Sequence, residues 1–108
     1  MAKYLFQASY TSEAWAAQVR NPQNRVEVIR PVIEGLGGRL ECAYLAFGDY
    51  DVVGIAEMPD NVNMAAFILA AAAGGALKTV KTTPLLTIEE GIEALRKASG
   101  TGYRPPGS

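Results

Sequence analysis

A chain of 108 residues suits one domain and leaves little room for a second. With 49% hydrophobic and 19% charged residues it falls among packed globular proteins and outside the charge-rich, apolar-poor regime of disorder. Ten Lys and Arg against eleven Asp and Glu leave a net charge of -1, so no summed positive field exists to hold nucleic acid or anionic lipid; one Cys and no His exclude a disulfide framework and the common structural zinc sets.

Gln7 and Ser9 interrupt the apolar opening at once, so no signal peptide is expected and a cytoplasmic address follows by default. Lys3 to Tyr10 alternate, with Tyr4, Phe6, Ala8 and Tyr10 on one side, and predict a first strand. Thr11 and Ser12 cap a short turn through Ala14-Trp15-Ala16-Ala17, and Asn21-Pro22 interrupts before a longer helix. There Val26, Ile29, Ile33 and Leu36 recur at helical spacing and bury one face. Pro31 lies within the pattern and predicts a kink or a restart, because it removes one helical hydrogen bond. Gly35, Gly37 and Gly38 then turn the chain into strand.

Leu40 to Phe47 and Asp51 to Met58 are apolar runs separated by Gly48-Asp49-Tyr50, which predicts a tight hairpin. With Asp49 and Tyr50 as the loop, Phe47 faces Val52 and Leu45 faces Gly54 on one surface, while Tyr44 faces Ile55 and Ala46 faces Val53 on the other. An Ala-rich helix from about Val62 to Ala73 follows, uncharged but interrupted by Gly74-Gly75 and too short to span a bilayer; apolar all round, it is expected to be buried on more than one side. Leu77 to Leu86 reads as an edge strand, with Lys78 and Lys81 blocking unwanted pairing. Thr87 and Glu90 form a capping box for a last helix striped by Ile88, Ile92 and Leu95, which closes the domain. The domain therefore spans residues 1–98, and residues 99–108 form an extended Gly/Pro-rich tail.

The order strand, helix, strand, strand, helix, strand, plus a terminal helix, predicts an α+β ferredoxin-like βαββαβ sandwich with a four-stranded antiparallel sheet. Both surfaces of the central hairpin are apolar, whereas a half-solvated sheet alternates apolar with polar. A second copy packed sheet against sheet covers the excess, so a homodimer, or an assembly of dimers, is expected.

At Phe47-Gly48-Asp49-Tyr50-Asp51-Val52-Val53 the chain resembles the GYD-domain family, with supporting matches at Asn21-Pro22, Asn24-Arg25, Leu36-Gly37-Gly38-Arg39-Leu40-Glu41, Thr82-Thr83 and Leu86-Thr87. The likeness covers most of residues 3–98. It implies a dimeric α+β-barrel domain, a group that includes cofactor-free monooxygenases and isomerases for small organic molecules beside proteins that only bind ligands.

Asp49, Tyr50 and Asp51 put two carboxylates and a phenol in one turn, able to serve as acid, base and donor beside a cavity; a turn also needs such residues for its own backbone. Tyr4, Phe6, Tyr10, Trp15, Tyr44 and Phe47 converge on the space between sheet and helices, either as core or as the wall of an apolar pocket, with Trp15 at its mouth. Arg30 is the fixed cation such a pocket would use, or a solvated residue paired with Glu27 and Glu34. The functional expectation is a homodimeric domain that binds a small apolar organic molecule, with cofactor-free acid or base chemistry from Asp49, Tyr50 or Tyr44 and no metal or cofactor. The competing expectation is a structural or protein-interaction module. Nothing in the sequence names the ligand.

Overall fold

The computed structural model describes residues 1–107; Ser108, the end of the expected tail, lies outside the described residues. In chain order the elements are β1 (Ala2–Tyr10), α1 (Ser12–Arg20), α2 (Val26–Gly35), β2 (Arg39–Leu45), β3 (Val52–Met58), α3 (Asn61–Ala73), β4 (Leu77–Leu85) and α4 (Ile88–Ser99). The strands pair antiparallel in the order β2-β3-β1-β4. This is the ferredoxin-like α+β arrangement, with β1 and β3 in the centre as that fold requires.

Period-two alternation divides the sheet. Tyr4, Phe6 and Ala8 of β1 and Gly54, Ala56 and Met58 of β3 are buried on the side that carries α2 and α3. There they meet Ile33 of α2, Leu40 of β2 and Met64 and Phe67 of α3 in one cluster. Phe6 and Phe67 meet edge to face, with centroids 5.5 Å apart and planes at 82°. Gly54 makes this possible: it pairs with Phe6 across the strands, and a Cβ there would sit 2.5 Å from Phe6 Cζ.

The helices are fixed at their ends by local chemistry. Asp60 accepts the Asn63 N–H at 2.9 Å and starts α3. Gly37, at φ 85°, ends α2: its N–H reaches Glu34 O at 2.9 Å and the Gly38 N–H reaches Ile33 O at 3.0 Å, a Schellman pair. Gly38 also has no space for a side chain, since a Cβ would meet Glu57 O at 2.5 Å and the Met58 sulfur. The Gly-rich turn thus lets the backbone lie directly on β3.

Several expectations are corrected. The central hairpin is not tight: β2 ends at Leu45, β3 begins at Val52, and Leu45 pairs with Val52 and Tyr44 with Val53. The register is displaced by two residues, which keeps each side chain on its expected surface while moving Phe47 off the strand into full exposure. The cause lies at Asp51, whose N–H is taken by Ala8 O at 2.9 Å and whose carbonyl takes the Ala46 N–H at 2.7 Å, closing a longer loop. No restart occurs at Pro31, and α2 runs through it as one helix. Proline removes a single hydrogen bond, and Ile33, fully buried beyond it, anchors the following turn. The Ala-rich helix buries Met64 and Phe67 but leaves Val62 and Leu69 exposed, so only one side of it is covered.

The last helix has the expected stripe and capping box but does not close the domain. Its apolar residues Ile88, Ile92 and Leu95 are exposed, and α4 stands off the body of a molecule that measures 59 × 34 × 22 Å. The radius of gyration is 17.4 Å, against about 13 Å for a compact chain near this length. The second sheet surface is also more mixed than expected. Leu5, Cys42, Val53 and Ile55 form its apolar centre, while Lys3, Arg39, Glu41 and Glu57 gather at one end, with Lys3 to Glu41 at 2.7 Å and Arg39 to Glu57 at 3.1 Å.

Candidate ligand-binding site

A cavity of about 510 Å³ opens between the buried side of the sheet and the two helices above it. Its floor is Phe6, Ala8 and Tyr10 of β1 with Val52 and Leu77; its walls are Val26, Val28, Ile29 and Val32 of α2 and Phe67, Ala70 and Ala71 of α3. The space follows from side-chain size. Helix α2 rests on β2, α3 rests on β3 and β4, and between them the sequence supplies alanines where bulkier residues would fill the gap. Val28 and Val32 remain 46% and 42% exposed because nothing of this chain lies in front of them. The volume is within the range of about 300–1,000 Å³ usual for small-molecule sites.

One end of the cavity is polar. Gln18 of α1 and Gln23, Asn24 and Arg25 of the link between α1 and α2 border it, together with Tyr10. Burial holds the Tyr10 phenol above its ordinary range; the charge of Arg25 opposes that rise and the charge of Asp51 adds to it. Among the described residues Arg25 is the only charged one in the lining, and no carboxylate borders the space.

Next to Tyr10, the turn motif ties three segments together. Asp51 Oδ2 accepts the Tyr10 N–H at 2.9 Å and the Trp15 Nε1–H at 3.2 Å. The Tyr10 and Trp15 rings meet edge to face at 5.2 Å, and Ser9 Oγ donates to Asp49 O at 3.0 Å. The loop between β2 and β3 is thereby tied to the end of β1 and to α1, which carries Gln18 to the rim.

A family model for the GYD domain matches residues 4–95. The chain belongs to the GYD domain family. Solved structures that this GYD chain resembles include MtbAldR (TM-score 0.57, 13% identity, covering 80% of this chain and 52% of the other) and TTHA0845 from Thermus thermophilus (TM-score 0.52, 14% identity, 81% and 95%). FFRP-DM1 is similar at TM-score 0.52 and 16% identity, covering 80% of this chain and all of the other. The chain thus spans about half of MtbAldR, and at these identities the likeness concerns the fold. A search of curated proteins finds no match for it.

Within the GYD domain the expected site residues are dispersed. Phe6 and Tyr44 line the cavity. Tyr4 borders a second, shallower hollow of about 360 Å³ beside α3 and β4, where its hydroxyl donates to Asn61 Oδ1. Trp15 is engaged in the Asp51 cluster, and Asp49, Tyr50 and Phe47 lie on the β2–β3 loop, outside the residues that border the cavity. Arg30 pairs with Glu27 at 3.7 Å on the helix face, and the cation at the cavity is Arg25. Among the described residues no three or more His, Cys, Asp or Glu gather to hold a metal, and no helix is long and apolar enough to cross a membrane.

Sequence reasoning passed over Arg25, Gln18 and the α2 valines as site residues. A signal for the valines was present: Val28 and Val32 lie four apart beside the Val26, Ile29 and Ile33 stripe and widen the apolar arc beyond what one packed face requires. The partners of Asp51 were hidden, because they lie 36 and 41 positions away along the chain.

Proposed function

We propose that this GYD domain acts as a homodimer that binds a small, largely apolar organic molecule between its sheet and its helices. The observation that carries the reading is the cavity over Phe6 and Ala8, walled by half-exposed valines and small alanines and polar at one end only. Filling it removes Val28 and Val32 surface from water, at about 25 cal/mol per Å². Binding is favoured over turnover: of Asp49, Tyr50 and Tyr44, only Tyr44 borders the space. A carboxylate acting as base would have to reach the ligand from the β2–β3 loop.

The dimer reading rests on the second sheet surface. Leu5, Cys42, Val53 and Ile55 form an apolar centre with no layer of this chain above it. A second copy related by a two-fold axis places the same centre against itself and lets the charged ends exchange ion pairs.

Isothermal titration with a panel of phenols, quinones and small terpenoids tests the ligand reading, using Ala71→Phe and the milder Ala71→Leu as cavity-filled controls. Binding to the unmodified protein that both variants weaken in order of side-chain size supports it; binding that neither variant changes refutes it. A second reading, an assembly module, is favoured by the exposed Ile88, Ile92 and Leu95 stripe of α4. It requires that association depend on that stripe and persist when the cavity is filled.

A further inference from the structure

We propose that the molecule held in this cavity carries one anionic oxygen group, a carboxylate, seated at the polar end against Arg25, with its apolar body running inward over Phe6 toward Phe67. This rests on the ligand-binding reading above and specifies the class of ligand.

Arg25 is the sole charge bordering the space; the acid that acts on the same end, Asp51, stands behind Tyr10 with one oxygen engaged by the Tyr10 and Trp15 N–H groups. Among the described residues its guanidinium has no ion pair and no side-chain hydrogen bond. Lys3, Arg30, Arg39 and Arg96 are each engaged with a glutamate, and of the other described Lys and Arg residues Arg25 alone borders the cavity. A planar guanidinium without a partner at the rim of an apolar cavity matches the fork geometry of a carboxylate.

Its neighbours supply donors of the same kind. The Tyr10 hydroxyl has no hydrogen-bond partner among the described residues, and Gln23 is likewise without one. Gln18 donates to Ala14 O at 3.4 Å, a contact that is long enough to exchange for a better acceptor. The Tyr10 phenol, like any ordinary phenol, keeps its proton at neutral pH and is available as a donor. A neutral hydrocarbon would use none of these donors, and Gln23 and Arg25, both exposed, would stay hydrated at the rim. A dianion such as a phosphate monoester would leave one charge unmatched by the single cation.

The test uses octanoate and 4-phenylbutyrate, each against its own primary amide, titrated into the 108-residue chain with Trp15 fluorescence and calorimetry as readouts. Both carboxylates are expected to bind at least about tenfold more tightly than their amides at low salt, the size of one charge-assisted contact, and to lose that advantage as salt is raised. Arg25→Gln is expected to bring each carboxylate down to the level of its amide while leaving the amide unchanged. If acids and amides bind alike, and Arg25→Gln and Ala71→Phe separate only through the latter, the carboxylate assignment is overturned and the apolar cavity stands. If neither probe pair nor the wider panel responds to Ala71→Phe or Ala71→Leu, the cavity reading itself falls. Far-ultraviolet circular dichroism of each variant confirms that it is folded.

Discussion

The indole N–H of Trp15 is bonded to the carboxylate of Asp51, a residue 36 positions further along the chain, and this single contact joins the first helix to the hairpin loop. The same oxygen also holds the backbone of Tyr10. The last letter of the turn motif is therefore a clamp across three segments rather than a free acid.

Replacing Asp51 by Ala leaves a part-buried indole N–H and a backbone N–H without an acceptor. A loss of about 2–3 kcal/mol in urea unfolding is expected, with Asp51→Asn recovering part of it because an amide oxygen still accepts. Trp15 emission should move to longer wavelength in the Ala variant as the ring leaves Tyr10. An Ala variant as stable as the parent would show that the clamp contributes nothing.

Gly54 lies under Phe6 and beside the carbonyl of Cys42, where a Cβ would come within 2.9 Å of the oxygen. Gly54→Ala is expected to cost about 1–3 kcal/mol by overpacking. The double variant Gly54→Ala/Phe6→Leu should recover part of that loss, since the ring is the movable half of the clash. Equal destabilisation with and without the Phe6 change would place the obstruction on the backbone alone.

The helix caps predict acid sensitivity. Glu90 accepts the Thr87 N–H at 2.8 Å, which holds its carboxyl below the ordinary value of 4.5, and Asp60 is lowered below 3.8 by the N–H and side chain of Asn63. Both groups are depressed in the folded state, so their contribution is complete above the unfolded values and is lost as pH falls through the folded ones. Helical ellipticity should decline as the solution is taken from pH 5 toward about pH 3, and Glu90→Gln should flatten part of that decline. At the other end of the scale Lys3 is raised above 10.5, chiefly by its hydrogen bond to Glu41. Its contribution is complete below 10.5 and fades as pH rises beyond it.

Ile55→Lys, in the apolar centre of the second sheet surface, is expected to convert a dimer into a folded monomer in sedimentation velocity, because the new charge meets its own copy across the axis. The paired change Ile92→Glu/Leu95→Glu should leave monomer stability within about 0.5 kcal/mol, since those side chains touch little of their own chain. Dissociation by the α4 pair and not by Ile55→Lys would favour the assembly reading.

The fold was legible because each of its parts is written locally. Tyr4, Phe6 and Ala8 alternate, Thr87 and Glu90 stand three apart, and Gly37-Gly38 sits where a helix must end. The hairpin register was not, because Asp51 is drawn out of the ladder by β1 and no local rule contains that pull. The site was legible only in part. Phe6 and Tyr44 were identified from aromatic clustering, but Arg25 looks like any surface arginine until the α1–α2 link brings it over Tyr10. A cavity is a statement about what is missing between two helices, and sequence records only what is present.

Helix α4 has another consequence, for the timescale on which the end of the chain opens. A helix of 12 residues with little tertiary support is marginal in water despite its capping box. Its amides should take up deuterium orders of magnitude faster than those of β1 and β3 in dilute protein. A protease should trim it to the Leu85–Leu86 junction while the sheet survives. Slowing of that uptake at higher protein concentration would report directly that α4 has found a surface on another molecule.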